Sequence, residues 1–155
     1  MTGTIDRRLS ELGIVLPQPP APVASYVPYV TTGNLVFISG QIPLENGHVR
    51  YAGTVGKDMS LDDGKAAARM CGINLIAQLK VACGGNLDRV QRCVRLGVFV
   101  NAIPGFGQHP EIANGASDLM LEVFGDNGRH ARAAVGAGSL PRNVAVEVEA
   151  VFEIK

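Results

Sequence analysis

Arg132 stands in a run of small residues, Ala131, Ala133, Ala134 and Val135, which leaves a long cation an open neighbourhood. A guanidinium holds a carboxylate through two parallel hydrogen bonds that fix both its position and its plane, so Arg132 is a candidate carboxylate clamp. A strand-surface arginine paired with a cross-strand glutamate is the plainer reading of the same residue. Glu147 and Glu149 alternate with Val146 and Val148, so both point away from the valine face. A carboxylate there could orient or deprotonate a water if partly desolvated, or could simply be a solvated face. Ser39-Gly40-Gln41-Ile42-Pro43 ends a strand with a glycine that lets a ligand approach the main chain closely, and a simple turn explains it equally well. Cys71 and Cys93 would be candidate nucleophiles beside a histidine, but no spacing brings one to them, and they read as small buried hydrophobes. His109-Pro110-Glu111 opens a helix without a second histidine.

The elements that must position these residues follow from periodicity and punctuation. Residues 4 to 13 form a short helix with Thr4 as its N-cap, Ile5, Leu9 and Leu12 on one side and Gly13 as its stop. The prolines from Pro17 to Pro22 exclude helix and central strand and make a stiff connection to the domain that follows. Tyr26 to Thr31 and Leu35 to Ser39 form a hairpin across Gly33-Asn34, and a further strand lies near His48 to Tyr51 after Glu45-Asn46-Gly47. The clearest helix spans Leu61 to Cys83, opened by a Ser60/Asp63 capping box and closed by Gly84-Gly85. Val90 to Val100 reads as a strand with Val94, Leu96, Val98 and Val100 on one face. A second long helix runs from Pro110 to Phe124, and the strands Ala131 to Ala137 and Val144 to Ile154 close the chain. Strands interleaved with helices in this order give an α+β class, with an N-terminal helix and Pro-rich extension over residues 1–22 and one domain over 23–155.

Composition bounds the function. The chain has 155 residues, enough to bury a core without disulfides or metal. Fourteen basic residues balance fourteen acidic ones, which removes the electrostatic footprint of a nucleic-acid or anionic-membrane partner. Three cysteines without a CxxC pair and three scattered histidines offer no metal-ligand spacing, and no cofactor motif is present. No run reaches the roughly twenty apolar residues of a membrane span, and the first residues lack an apolar signal core, so a cytoplasmic protein is expected.

Four stretches together resemble the YjgF/RidA (reactive intermediate deaminase) family: Gly33 to Pro43, Val94 to Val100, the strand opening Ala131-Arg132, and Leu140-Pro141-Arg142-Asn143 running on to Ala150. The resemblance covers about residues 23 to 155 and implies a chorismate-mutase-like fold, with mainly antiparallel sheet carrying two helices on one face, assembled as a homotrimer with clefts between subunits. It implies hydrolysis of reactive 2-enamine or 2-imino acids to a 2-keto acid and ammonia. By position, Arg132 holds the substrate carboxylate and Glu147 orients the attacking water. Ser39, Gly40 and the Ala134 backbone meet the ligand, and Tyr26 and Asn114 line the cleft from the neighbouring subunit. Many members carry a cysteine where this chain has Ala134. That departure, the insertion around Gly105 to Gln108 and the N-terminal helix mark a divergent branch, for which a carboxylate-binding or regulatory trimer without turnover is the alternative. A nuclease is a third reading, disfavoured by the balanced charge.

Overall fold

The computed structural model describes residues 2–20 and 24–155. The chain runs α1 (Thr4–Glu11), β1 (Tyr29–Thr32), β2 (Leu35–Gln41), β3 (Leu44–Glu45), β4 (His48–Val49), α2 (Leu61–Ala82), β5 (Val90–Asn101), α3 (His109–Phe124), β6 (Ala131–Ala137) and β7 (Val146–Ile154). Five strands form one sheet in the order β1-β2-β7-β5-β6, and β3 and β4 form a separate small hairpin. Every neighbouring pair in the large sheet is antiparallel except β5 and β6, which are parallel because α3 is the crossover between them. This is the α+β class read from the element order, with the mixed, mainly antiparallel sheet that the family resemblance implies.

One face of the sheet carries the core. Leu96, Val98 and Val100 on β5 pair with Ala150, Val148 and Val146 on β7, and all are buried beneath α2 and α3. The two helices lie close because glycines stand at their contact. An added Cβ would meet Ile112 from Gly64 and Leu119 from Gly72, and from Gly115 it would collide with the Lys65 carbonyl. Ser60 and Asp63 close the capping box of α2 by exchanging hydrogen bonds of 3.0 and 2.9 Å, as expected from the sequence. Gly84 and Gly85 then take positive φ and end the helix. Cys71, Cys83 and Cys93 are all buried in this core.

Three expectations are corrected. Thr4 is the first helical residue of α1, not its cap. Gly3 occupies the cap, and the carboxylate of Asp88, 83 and 84 residues away, accepts from the amides of Ile5 and Thr4 at 2.9 Å. A distant acid satisfying a helix start cannot be read from local sequence. Val94 is only half-buried, because bulges at Val90/Arg92 and Cys93/Arg95 shift the alternation of β5 and bring Cys93 to the core instead. Tyr51 takes φ 54°, which ends the strand expected to reach it. Helix α1 packs on the domain through buried Leu9, a Lys80–Asp6 ion pair of 2.9 Å and a 2.7 Å bond from Arg8 Nε to the Glu122 carbonyl. The proposed boundary at 22/23 lies outside the described residues.

Candidate functional site

Arg132 pairs with Leu96 in the register of β5 and β6, which turns its side chain to the helix side of the sheet at the free edge. There Nη1 donates to Asn114 Oδ1 at 2.8 Å and to Ser117 Oγ at 3.1 Å, both on α3. Those two bonds use both Nη1 hydrogens. The edge formed by Nε and Nη2 has no partner among the described residues, and it is the edge that fits a carboxylate side-on. Ala134 and Gly136 follow Arg132 on the same row, small enough to leave that edge open, with the His109 ring standing over Gly136.

Asn114 therefore contacts Arg132 within its own chain, and its expected origin in a neighbouring subunit is corrected. Sequence reasoning missed Ser117 and His130. Ser117 Oγ lies 2.8 Å from His130 Nε2, and His130 Nδ1 lies 2.6 Å from the Gly128 carbonyl oxygen. The signal available was weak: a serine three residues after Asn114 shares its helix face, but nothing local joins it to His130.

Glu147 belongs to the other face. It pairs with Phe99, and Phe99 pairs in turn with Val135, a row that points away from the helices. On its other flank is β2, whose register shifts between Ile38 and Gln41 so that Ser39 and Gly40 form an irregularity beside β7. A Cβ at Gly40 would collide with the Glu147 carboxylate, so glycine is what lets the acid lie against the main chain here. Burial, and next to it the like charge of Glu149, push the Glu147 carboxyl above its ordinary value. Glu149 itself faces Arg95 at 3.6 Å across Gly97.

Two side chains steady this half of the site. Ser39 donates its hydroxyl to the Val27 carbonyl at 2.8 Å, tying down the segment that presents Tyr26, a residue 60 % exposed. Buried Asn101 donates to the Gly53 and Val144 carbonyls at 3.2 Å and to Asn143 Oδ1 at 3.3 Å. Arg142 and Asn143 take φ 55° and 57° in the turn so anchored, and that turn sets where β7, and hence Glu147, begins.

The predicted residues thus fall into two clusters on opposite faces of one sheet. Arg132, Asn114 and Ala134 line the margin of β6 and α3. Glu147, Gly40, Ser39 and the segment carrying Tyr26 gather around β2 and β7 on the open face. One chain does not bring Arg132 and Glu147 together. The open face also shows large apolar side chains: Val30, Phe37 and Val135 are 53, 45 and 47 % exposed and lie on rows that cross the sheet through Val151 and Phe99. Among the described residues no three His, Cys, Asp or Glu side chains come together as a metal site, and no helix is long and apolar enough to cross a membrane.

Fold and site define an α+β domain with a helix-backed mixed sheet, an edge-strand arginine open on one side of its guanidinium among the described residues, and a half-buried glutamate on the uncovered face. The family model described as "YjgF/chorismate_mutase-like, putative endoribonuclease" matches residues 6–154, and the chain belongs to this YjgF/RidA family. It is 45 % identical to Protein TCP17 of Trypanosoma cruzi, over 99 % of this chain and 96 % of that one. It is 30 % identical to a 2-iminobutanoate/2-iminopropanoate deaminase of Dermatophagoides farinae, over 92 % and 95 %. The crystal structure of Atu1372 from Agrobacterium tumefaciens, a protein of unknown function, superposes with a TM-score of 0.92 at 44 % identity, over 97 % of this chain and 92 % of that one.

Proposed function

We propose that this protein hydrolyses reactive 2-enamine and 2-imino acids to 2-keto acids and ammonia, in clefts between the subunits of a homotrimer. The observation that carries the reading is the guanidinium of Arg132, fixed on Nη1 by Asn114 and Ser117 with its Nε–Nη2 edge open beside Ala134. The similarity to an imine deaminase in Dermatophagoides farinae supports it.

An imine is already electrophilic at carbon, so the protein must supply placement and a proton relay. The substrate carboxylate seats on Arg132. The substrate reacts as the protonated iminium, which an enamine reaches by taking a proton from solvent at C3. Glu147 of an adjoining subunit, its carboxyl raised by burial and ionised for this step, takes a proton from water as the water oxygen bonds to C2 and the C=N electron pair moves onto nitrogen. It then returns that proton to the amine nitrogen, the C–N bond breaks and ammonia leaves. The hydroxyl oxygen becomes the ketone as its proton is lost to solvent. The opposite facing of Arg132 and Glu147 is why a second copy is required, and the exposed apolar rows of the open face are the surface it would cover. Light scattering is expected to give three times the 16.3 kDa of the chain, and a monomer would end the intersubunit cleft.

The test couples a pyridoxal-phosphate dehydratase, as imine source, to keto-acid detection. Wild type is expected to accelerate keto-acid release. Arg132→Ala, and also Arg132→Lys, which keeps the charge but loses the fork, are expected to lower kcat/KM by at least about a hundredfold. Ala134, in place of the cysteine common in the family, favours a second reading, a carboxylate-binding trimer without turnover. Saturable keto-acid binding with no acceleration would select it.

A further inference from the structure

The hydrogen bonds that reach Arg132 do not stop at α3. They continue in one direction. The Gly128 carbonyl can only accept, so the 2.6 Å contact requires His130 Nδ1 to carry the proton. In a neutral ring Nε2 is then bare and accepts from the Ser117 hydroxyl at 2.8 Å. With its hydrogen so directed, Ser117 Oγ presents lone pairs to Arg132 Nη1 at 3.1 Å. In that arrangement each hydrogen along the path from Arg132 Nη1 through Ser117 and His130 to Gly128 has its acceptor.

The far end of this chain is rigid. Gly128 closes the short 3-10 turn Gly125–Gly128 and is buried, and an added Cβ there would collide with the Met120 carbonyl of α3. Ser117 is 7 % exposed, so its hydroxyl has little water to turn to. Arg132 is exposed on an edge strand among small residues. What fixes its plane is the pair of bonds on Nη1, and one of those depends on which way the Ser117 hydroxyl points.

We infer that Ser117 and His130 are positioning residues that orient the Arg132 guanidinium for a carboxylate, His130 acting only through Ser117 by fixing the direction of its hydroxyl. The role in carboxylate binding rests on the proposed reading of Arg132 as the clamp. The orienting itself does not.

The two are therefore tested separately on the intact protein. The ¹⁵N–¹H signal of Arg132 Nε, identified by its loss in Arg132→Ala, is expected to report a restricted side chain in wild type. Ser117→Ala and His130→Ala are expected to move it to the behaviour of a freely moving arginine. Ser117→Thr, which keeps the hydroxyl, and His130→Gln, which keeps an acceptor facing it, are expected to recover most of the restriction in proteins of unchanged Tm. A mobile Arg132 in wild type, or an Arg132 equally restricted in folded His130→Ala, overturns the inference. Titration with 2-ketobutyrate then reads the consequence. Loss of the oriented bond to the Arg132 guanidinium is expected to weaken binding about five- to tenfold in Ser117→Ala and His130→Ala, with no further effect of either in an Arg132→Ala background. Equal binding by wild type and Arg132→Ala would remove the clamp reading and leave the orienting result standing.

Discussion

Glu147 is the residue whose chemistry depends most on its surroundings. Its carboxyl is raised by burial and by Glu149, so the folded state holds this proton more tightly than the unfolded chain does. The sign follows directly. Glu147 favours folding below the ordinary carboxylate value, that contribution is lost as pH rises through the raised value, and above it the ionised group is a cost. Glu147→Gln is expected to lose the proposed deaminase activity yet melt a few degrees higher at neutral pH, with the difference closing in acid; calorimetry across pH checks it. Glu149→Gln removes the like charge, so the acid limb of the kcat/KM profile is expected to move to lower pH. The same change removes the exposed ion pair with Arg95, which is worth little. Gly40 gives a sharper test of geometry. In Gly40→Ala the new methyl meets the movable end of Glu147, not backbone, so Tm is expected to change by no more than a few degrees while activity falls at least about tenfold, read in the same coupled assay.

At the scale of elements, the seam between α2 and α3 is the place where space is most tightly used. Gly115 faces the Lys65 carbonyl, a backbone atom that cannot swing aside. Gly115→Ala is expected to cost about 1–3 kcal/mol, seen as a lowered denaturant midpoint, even though alanine is the better helix former. The elements were legible in the sequence where the cause was local. The Ser60/Asp63 box, the Gly84-Gly85 stop and the alternation of β7 each declare themselves within a few residues. What was not legible depends on distant partners: Asp88 capping α1, the bulges that move Cys93 inward in place of Val94, and the Ser117–His130 hydrogen bond behind Arg132. Arg132 and Glu147 were singled out as candidates from their motifs, but their separation onto opposite faces follows only from the parallel and antiparallel registers on either side of β5.

For the whole molecule, the three cysteines have a use apart from any chemistry of the site. All are buried, and burial raises each thiol above its ordinary value, to about 12 for Cys93, so none offers a thiolate to solvent at neutral pH. With alanine at position 134, two residues from Arg132, no accessible sulfhydryl competes with them. The native protein is expected to resist a maleimide or a disulfide reagent almost completely, and to react at three sites per chain once denatured. Modification in native buffer then counts excursions of the core to the open state: Cys71 sits on α2 and Cys93 on β5, so the order in which mass spectrometry finds them tagged tells whether helix and sheet part together or one before the other.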